Sequence, residues 1–275
     1  YISMEMRENT IAYELVRNNG TSTEVDVCGV KFCRGNFGVI AGPCSIESEE
    51  HIMKLAEEIK KAGASLLRGG AFKMRTSPYD FQGLGVRGLD YLVRAGRSVG
   101  LPTVSEIVDV RDLDYYSDID MIQVGARNMK NYTLLKELGR SDKPVLLKRG
   151  MDSTYNEFLL AAEYIVKEGN GNVVLCERGI KSFETYTRNT LDIVAVPVLH
   201  KLTHLPVIVD PSHATGKSEL IEPASLAAAA AGADGLIIEV HSNPEEAWSD
   251  SEQAVTPERL REIVDKSNKI STVLK

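Results

Sequence analysis

The stretch VLLKRGMDSTYNEFLLAAEYIVKEGNGNVVLCER, residues 145–178, decides the fold. It opens on a short β-rich run, 145–147, that ends in Lys148 and Arg149. A helical stretch comes next. Thr154-x-x-Glu157 has the form of a capping box, and Phe158, Ala161, Ala162 and Ile165 recur on one face before Gly169 ends it. A second β-rich run, 173–176, then ends in Glu177 and Arg178. The unit is strand, charged end, helix, strand, charged end.

Outward from this unit the same two textures alternate from residue 37 onward. The β-rich runs are 37–41, 65–67, 102–105, 121–124, 145–147, 173–176, 206–209 and 235–238, eight in all. Between them, Ile52, Leu55, Ala56 and Ile59 line one helix face closed by Gly63, and the alanine-rich run 224–231 is stopped by Gly232. Eight alternations over this length predict an α/β fold, a (β/α)8 TIM barrel. A doubly wound open sheet is the alternative, disfavoured by the lack of a glycine fingerprint after the first strand. Residues 1–36 fall outside the repeat. They are expected to form an N-terminal extension capping the barrel, a short helix over 7–17 and a β-hairpin turning at Cys28-Gly29, with 37–275 as the catalytic barrel.

Bulk properties narrow the function. The net charge of −7 over 275 residues argues against nucleic acid or an anionic membrane as the main partner. No apolar run is long enough to span a bilayer, and no signal-peptide core is visible, so the expected compartment is cytoplasmic. Cys28, Cys33, Cys44 and Cys176 are too few and scattered for a disulfide framework. Cys28 and Cys33 read as incidental to the cap and Cys176 as core lining. Gly216-Lys217-Ser218 resembles the tail of a P-loop, but Pro211 stands where that motif needs glycine, so no nucleotide cradle is expected. His200-x-x-x-His204 has zincin spacing with Lys201 in place of the glutamate and reads as a surface turn.

The residues at and just past the strand ends carry the chemistry. In order they are Cys44, Arg68, Glu106, Arg127, Lys148, Glu177 with Arg178, Asp210 with His213, and Glu239 with His241. A lone charge on a loop is usually solvated. Eight strands delivering reactive groups to one rim point to an active site at the C-terminal face. Arg68, Lys73, Arg75, Arg127, Lys148 and Arg178 form a basic cluster on an acidic protein, which implies a substrate with several negative charges. Cys44, His213 and Glu239, with Asp250 as a candidate fourth, make a mixed S/N/O set suited to a divalent metal ion: manganese, iron, cobalt or zinc. Lys73, held among cations, is expected to have a lowered pKa and to serve as acid–base; Glu106 and Glu177 are candidates to position a water, and each reads equally as a structural partner of a neighbouring arginine. His241 is read as a supporting or a loop residue with equal weight, and Met74 and Trp248 as packing.

The segments AGPCSIES, LLRGGAFKMRTSPYDFQGLG, QVGARN, PVLLKRGM, LCERGI, RNTLDIVAVPVL, VDPSHATGK and IIEVHSNPEEAWSDSEQ resemble, in order and over nearly the whole barrel, 3-deoxy-D-arabino-heptulosonate 7-phosphate (DAHP) synthases. The likeness is to the compact form similar to 3-deoxy-D-manno-octulosonate 8-phosphate (KDO8P) synthase. The resemblance implies a metal-dependent TIM barrel condensing phosphoenolpyruvate with erythrose 4-phosphate, the first step of the shikimate pathway to aromatic amino acids. It implies metal ligation by Cys44, His213, Glu239 and Asp250. Phosphoenolpyruvate would lie on Arg68, Lys73, Arg127, Lys148 and Arg178, and the aldose phosphate on Arg75, Thr76 and Ser77. Met74 departs from the proline usual in heptulosonate enzymes, while Arg75-Thr76 agrees with them. A homodimer or homotetramer is expected, with no feedback control through an appended domain. The alternatives are a KDO8P synthase using arabinose 5-phosphate, a metal-dependent phosphosugar aldolase and, as an outsider, a non-catalytic anion-binding barrel.

Overall fold

A computed structural model describes residues 13–75 and 77–274. In chain order the elements are β1 (Val25–Val27), β2 (Val30–Phe32), β3 (Gly38–Gly42), α1 (Glu49–Lys61), β4 (Leu66–Arg68), α2 (Val86–Val99), β5 (Thr103–Ile107), β6 (Met121–Val124) and α3 (Tyr132–Gly139). They continue with β7 (Val145–Lys148), α4 (Tyr155–Lys167), β8 (Val173–Glu177), α5 (Ala195–Leu202), β9 (Val207–Val209), α6 (Pro211–Thr215), α7 (Ser218–Ala230), β10 (Gly235–Glu239) and α8 (Pro257–Val273). Strands β3 to β10 are parallel neighbours, and β10 pairs back onto β3 to close the barrel. The fold is a (β/α)8 TIM barrel.

Local chemistry explains the elements. Ser48 caps α1 by accepting from His51 N–H, and Ile52, Leu55, Ala56 and Ile59 are its buried face. Thr154 and Glu157 form both halves of the capping box on α4, whose buried residues include Phe158, Ala161, Ala162 and Ile165. Each buried leucine, isoleucine or phenylalanine on such a face contributes about 1.5–3 kcal/mol relative to exposure. Inside the barrel, Ile40, Leu66, Val104, Met121, Leu146, Val174, Cys176, Ile208 and Ile237 make one apolar cluster. The β1–β2 hairpin adds Val25, Val27 and Phe32 to it, with Phe32 lying over Gly38 at the start of β3. The hairpin therefore plugs the end where strands begin and leaves the other end open to chemistry.

Several strands run one residue further than the β-rich texture. Arg68, Lys148, Glu177 and Glu239 each end a strand rather than begin a loop. Gly42, ending β3, has φ 151°, and a Cβ there would stand 1.9 Å from Arg68 O, so only glycine lets β3 and β4 approach at this level.

Two expectations are corrected. Within the segment expected to be helical, residues 14–16 form bends, and Arg17 bridges Thr203. The cause is Glu163 of α4, whose carboxylate accepts from the N–H groups of Glu14, Leu15 and Val16 at 2.9–3.0 Å. Residues 7–12 lie outside the described residues. His200 is in α5, its Nε2 3.0 Å from Asp234 Oδ2, and His204 Nδ1 stands 2.6 Å from Thr23 Oγ1. The two histidines are structural fasteners rather than parts of a surface turn.

Candidate active site

At the C-terminal end of the strands lies a cavity of about 280 Å³. Cys44, Arg68, Lys73, Arg75, Arg127, Lys148, Arg178, His213 and Asp250 all line it, with Met74 and Glu106. Distant βα turns therefore meet in a single space.

On one flank Cys44, His213, Glu239 and Asp250 each offer a ligand atom, all within 4.8 Å of one another. Cys44 Sγ is 3.0 Å from Asp250 Oδ2 and 3.8 Å from His213 Nε2, and that nitrogen is 3.8 Å from Glu239 Oε2. Metal–ligand bonds of about 2.0–2.3 Å put donors in one shell at such separations, so the set fits a divalent transition metal. Asp210 supports it: its Oδ2 lies 2.8 Å from His213 Nδ1, which turns Nε2 toward the other donors. Burial pushes the His213 pKa down to about 3, so it is a neutral imidazole able to ligate. Burial and Glu239 push the Cys44 thiol up to about 11, and burial takes Glu239 up to about 7. Cys44 and Glu239 are thus costly to charge without a cation, a bound cation reverses that cost, and His213 ligates as the neutral ring it already is.

The other flank is cationic. Lys73 Nζ donates to Cys44 Sγ at 2.6 Å, and Arg68 Nη2 lies 3.6 Å from the same sulfur. Arg178 is 5 % exposed, and its Nη1 has no hydrogen-bond partner among the described residues, a donor fit for an anionic oxygen. Lys148 Nζ is held at 2.5 Å by Asp210 Oδ2. Arg75 pairs with Asp80 at 3.3 Å, and Arg127 Nη1 donates to Met74 O at 3.1 Å.

The expected lowering of the Lys73 pKa is overturned. Burial and Arg68 do push it down, but Cys44 and Asp250 outweigh them and the net shift is upward. Lys73 is an ammonium that donates. Of the two readings of Glu177, the structure agrees with the partner of a neighbouring arginine: it is fully buried and outside the cavity wall. Its Oε2 accepts from Arg149 at 2.9 Å and its Oε1 from Gly179 N–H at 2.6 Å. Glu106 does line the cavity, steadied by Gln123 Nε2 at 2.7 Å. Ser77 is off the wall, with its Oγ accepting from Tyr79 N–H, and Thr76 lies outside the described residues. Trp248 is 57 % exposed and meets Phe81 edge to face at 5.2 Å.

Sequence reasoning missed Arg188, Asp80 and Gln253. Arg188 and Asp80 line the cavity, and Gln253 holds Glu239. Arg188 sits inside the long β8–α5 connection, ten residues past Arg178, and the length of that connection was the available signal. A second trio, Glu47, His51 and His241, also comes within 4.8 Å. It suits a buttress better than an ion. His241 Nδ1 accepts from Asn243 N–H at 3.0 Å, which leaves the proton on Nε2, 3.3 Å from Glu47 Oε2. Glu47 also accepts from Trp248 N–H at 2.7 Å, so His241 and Glu47 brace the loop that carries Asp250.

A closed parallel barrel with clustered cations and a mixed donor set at its strand ends is a barrel enzyme shaped for anionic substrates. The chain belongs to the DAHP synthetase I family, whose profile matches residues 21–275. A Thermotoga maritima protein named phospho-2-dehydro-3-deoxyheptonate aldolase is 49 % identical over 253 residues, 92 % of this chain and 75 % of that one. The crystal structure of a Thermotoga maritima DAHP synthase superposes with a TM-score of 0.93 at 48 % identity, covering 96 % of this chain and 78 % of the other. A truncated form of the Thermotoga maritima enzyme gives 0.88 at 45 % identity, covering 94 % and 97 %. A Desulfotalea psychrophila 2-dehydro-3-deoxyphosphooctonate aldolase is 31 % identical, over 84 % of this chain and 89 % of its own.

Proposed function

We propose that this chain is a 3-deoxy-7-phosphoheptulonate synthase, a transferase of the shikimate pathway. It joins phosphoenolpyruvate, erythrose 4-phosphate and water to give DAHP and phosphate. The observation that carries this is the meeting of seven cations with the Cys44, His213 and Asp250 donors around a cavity of about 280 Å³. Two phosphorylated substrates account for the cations, and an aldehyde needing polarisation accounts for the donors.

Cys44, His213, Glu239 and Asp250 would hold a divalent ion, which would supply Lewis-acid polarisation of the aldehyde carbonyl. Arg68, Lys148 and Arg178, with Arg127, grip the carboxylate and phosphate of phosphoenolpyruvate and fix its approach. Arg75, on the cavity wall, takes the aldose phosphate. The enolpyruvate C3 then forms a bond to the aldehyde carbon. Water adds at C2, and the bond from C2 to the phosphate oxygen breaks as phosphate leaves. As C3 adds, the aldehyde C=O π bond opens, and Lys73, an ammonium, donates the proton that its oxygen takes up. Glu106 orients the water and accepts its first proton, and the C2 hydroxyl gives its own to the departing phosphate as the ketone forms.

Phosphate release with erythrose 4-phosphate and with arabinose 5-phosphate, side by side across manganese, iron, cobalt and zinc, tests the reading. Faster release with erythrose 4-phosphate is expected. Preference for arabinose 5-phosphate would make the chain the octulosonate enzyme, and turnover without phosphoenolpyruvate would make it a plain aldolase.

The same reading includes a cytoplasmic homodimer or homotetramer, with 1–36 as an N-terminal extension whose β1–β2 hairpin stoppers the barrel formed by 37–275. Free thiols at Cys28, Cys44 and Cys176 suit a reducing compartment. Among the described residues no helix is long and apolar enough to cross a membrane.

A further inference from the structure

Arg188 and Gln253 together connect the two carboxylates of the donor set. Arg188 is firmly based. Its N–H donates to Thr215 O at 3.0 Å, and Asn189 donates from N–H to Ala214 O at 2.8 Å and from Nδ2 to His213 O at 3.0 Å. The dipeptide is thereby tied to α6, the helix that carries His213. From this base Arg188 Nη1 donates to Asp250 Oδ1 at 3.1 Å and to Gln253 Oε1 at 2.8 Å. Gln253, 2 % exposed, passes the contact on by donating from Nε2 to Glu239 Oε2 at 2.7 Å. The result is an unbroken run from Asp250 through Arg188 and Gln253 to Glu239.

Asp250 needs such a frame. Its φ of 55° lies in the left-handed region, which a residue with a side chain occupies when its surroundings over-determine it. With Oδ1 fixed by Arg188, Oδ2 is presented to Cys44 Sγ at 3.0 Å. Gln253 fixes Glu239 more directly, by donating to Oε2, the oxygen that stands 3.8 Å from His213 Nε2.

We propose that Arg188 and Gln253 are positioning residues that hold Asp250 and Glu239 at the spacing a divalent cation requires, and so set metal affinity without touching the metal. The inference rests on the reading of Cys44, His213, Glu239 and Asp250 as ligands. Loss of a hydrogen-bond partner behind a ligating carboxylate typically weakens metal binding by about 10–100-fold. Arg188 and Gln253 act through one run of contacts, so their effects are not independent.

The test is competition of zinc or manganese between the stripped protein and a chromophoric chelator, with no substrate present. Wild type, Arg188→Gln, Gln253→Met, the double variant and Cys44→Ser are compared. Each single variant is expected to bind the ion about 10–100-fold more weakly. The double variant should lose less than the product of the two. The cobalt complexes should keep the thiolate charge-transfer band, because Cys44 is intact, while their ligand-field bands shift. Affinities within about twofold of wild type in both single variants overturn the proposal, and an Arg188 role confined to gripping substrate gives that result. If Arg188→Gln does not fold, Gln253→Met decides alone. A wild type that takes up no ion, or a Cys44→Ser protein that binds as tightly, defeats the ligand reading itself and the proposal with it.

Discussion

Lys73 Nζ stands 2.6 Å from Cys44 Sγ and 3.6 Å from Asp250 Oδ2, so one ammonium joins the cationic wall to the donor set. Removing it leaves Cys44 without its nearest cation, Asp250 with Arg188 alone, and the reacting centre without its proton donor. Lys73→Met is expected to lower kcat by about 10²–10⁴-fold, the usual worth of a placed acid. Lys73→Arg should not rescue it, because a planar fork cannot occupy the position of a compact ammonium. Phosphate release at saturating substrates checks this, and a variant within tenfold of wild type would remove Lys73 from the chemistry.

Cys44→Ser exchanges the soft donor for a hydroxyl of similar shape. Metal retention through gel filtration and activity should fall together, while the thermal midpoint of the stripped protein stays near that of stripped wild type. Full activity in a protein shown to be free of metal would take the ion out of the reaction.

The barrel was legible because its strands alternate with capped helices, and Thr154 with Glu157 marks one boundary to the residue. Strand ends were less legible. Arg68, Lys148 and Glu239 belong to strands but break the apolar texture, since the last strand residue can turn toward the cavity instead of the core. The ligand set could be read from residue type, but its frame could not. Arg188 and Gln253 matter through whom they touch, and no spacing in the chain encodes that. The sign of the Lys73 shift was misjudged for the same reason: the sequence supplies the number of neighbouring cations but not the distance to one sulfur.

Glu106 and Glu177 look alike in sequence, each an acid at a strand end, and the structure separates them. Glu106 faces the cavity, and a Cβ at Gly125 would stand 2.0 Å from its Oε1. Glu106→Gln and Gly125→Ala should both depress kcat and leave the unfolding midpoint near wild type. The first removes the carboxylate and the second displaces it. Comparable loss of stability in both would reassign Glu106 to the scaffold.

Glu177 should behave in the opposite way. It is fully buried against Arg149, and burial raises its pKa even though Arg149 opposes the shift. Glu177→Ala removes one partner of a buried pair, which costs about 3–5 kcal/mol, and Arg149 retains Asp192 at 2.8 Å, so the lower end is expected. Urea unfolding reads the cost. A variant of unchanged stability that loses turnover would return Glu177 to the reaction.

Glu222 on α7 offers a test of acid stability away from the active site. Its Oε1 lies 2.6 Å from Lys266 Nζ and its Oε2 2.6 Å from Arg259 Nη2, both on α8. The hydrogen bond from Lys266 comes first among the effects that hold its pKa below the ordinary glutamate value, with Arg259 adding to it. A carboxyl whose folded pKa is depressed stabilises fully above its unfolded pKa and stops doing so as pH falls through the folded one. Glu222→Gln should therefore lower the urea midpoint at neutral pH, with the gap to wild type closing as pH falls below the ordinary glutamate range. Other carboxylates titrate in both proteins, so the difference between the two curves is the quantity that isolates Glu222. High salt should shrink the neutral-pH gap, because the pair is near the surface and screened. A gap that persists unchanged into acid would mean that packing, and not charge, is what Glu222 contributes between α7 and α8.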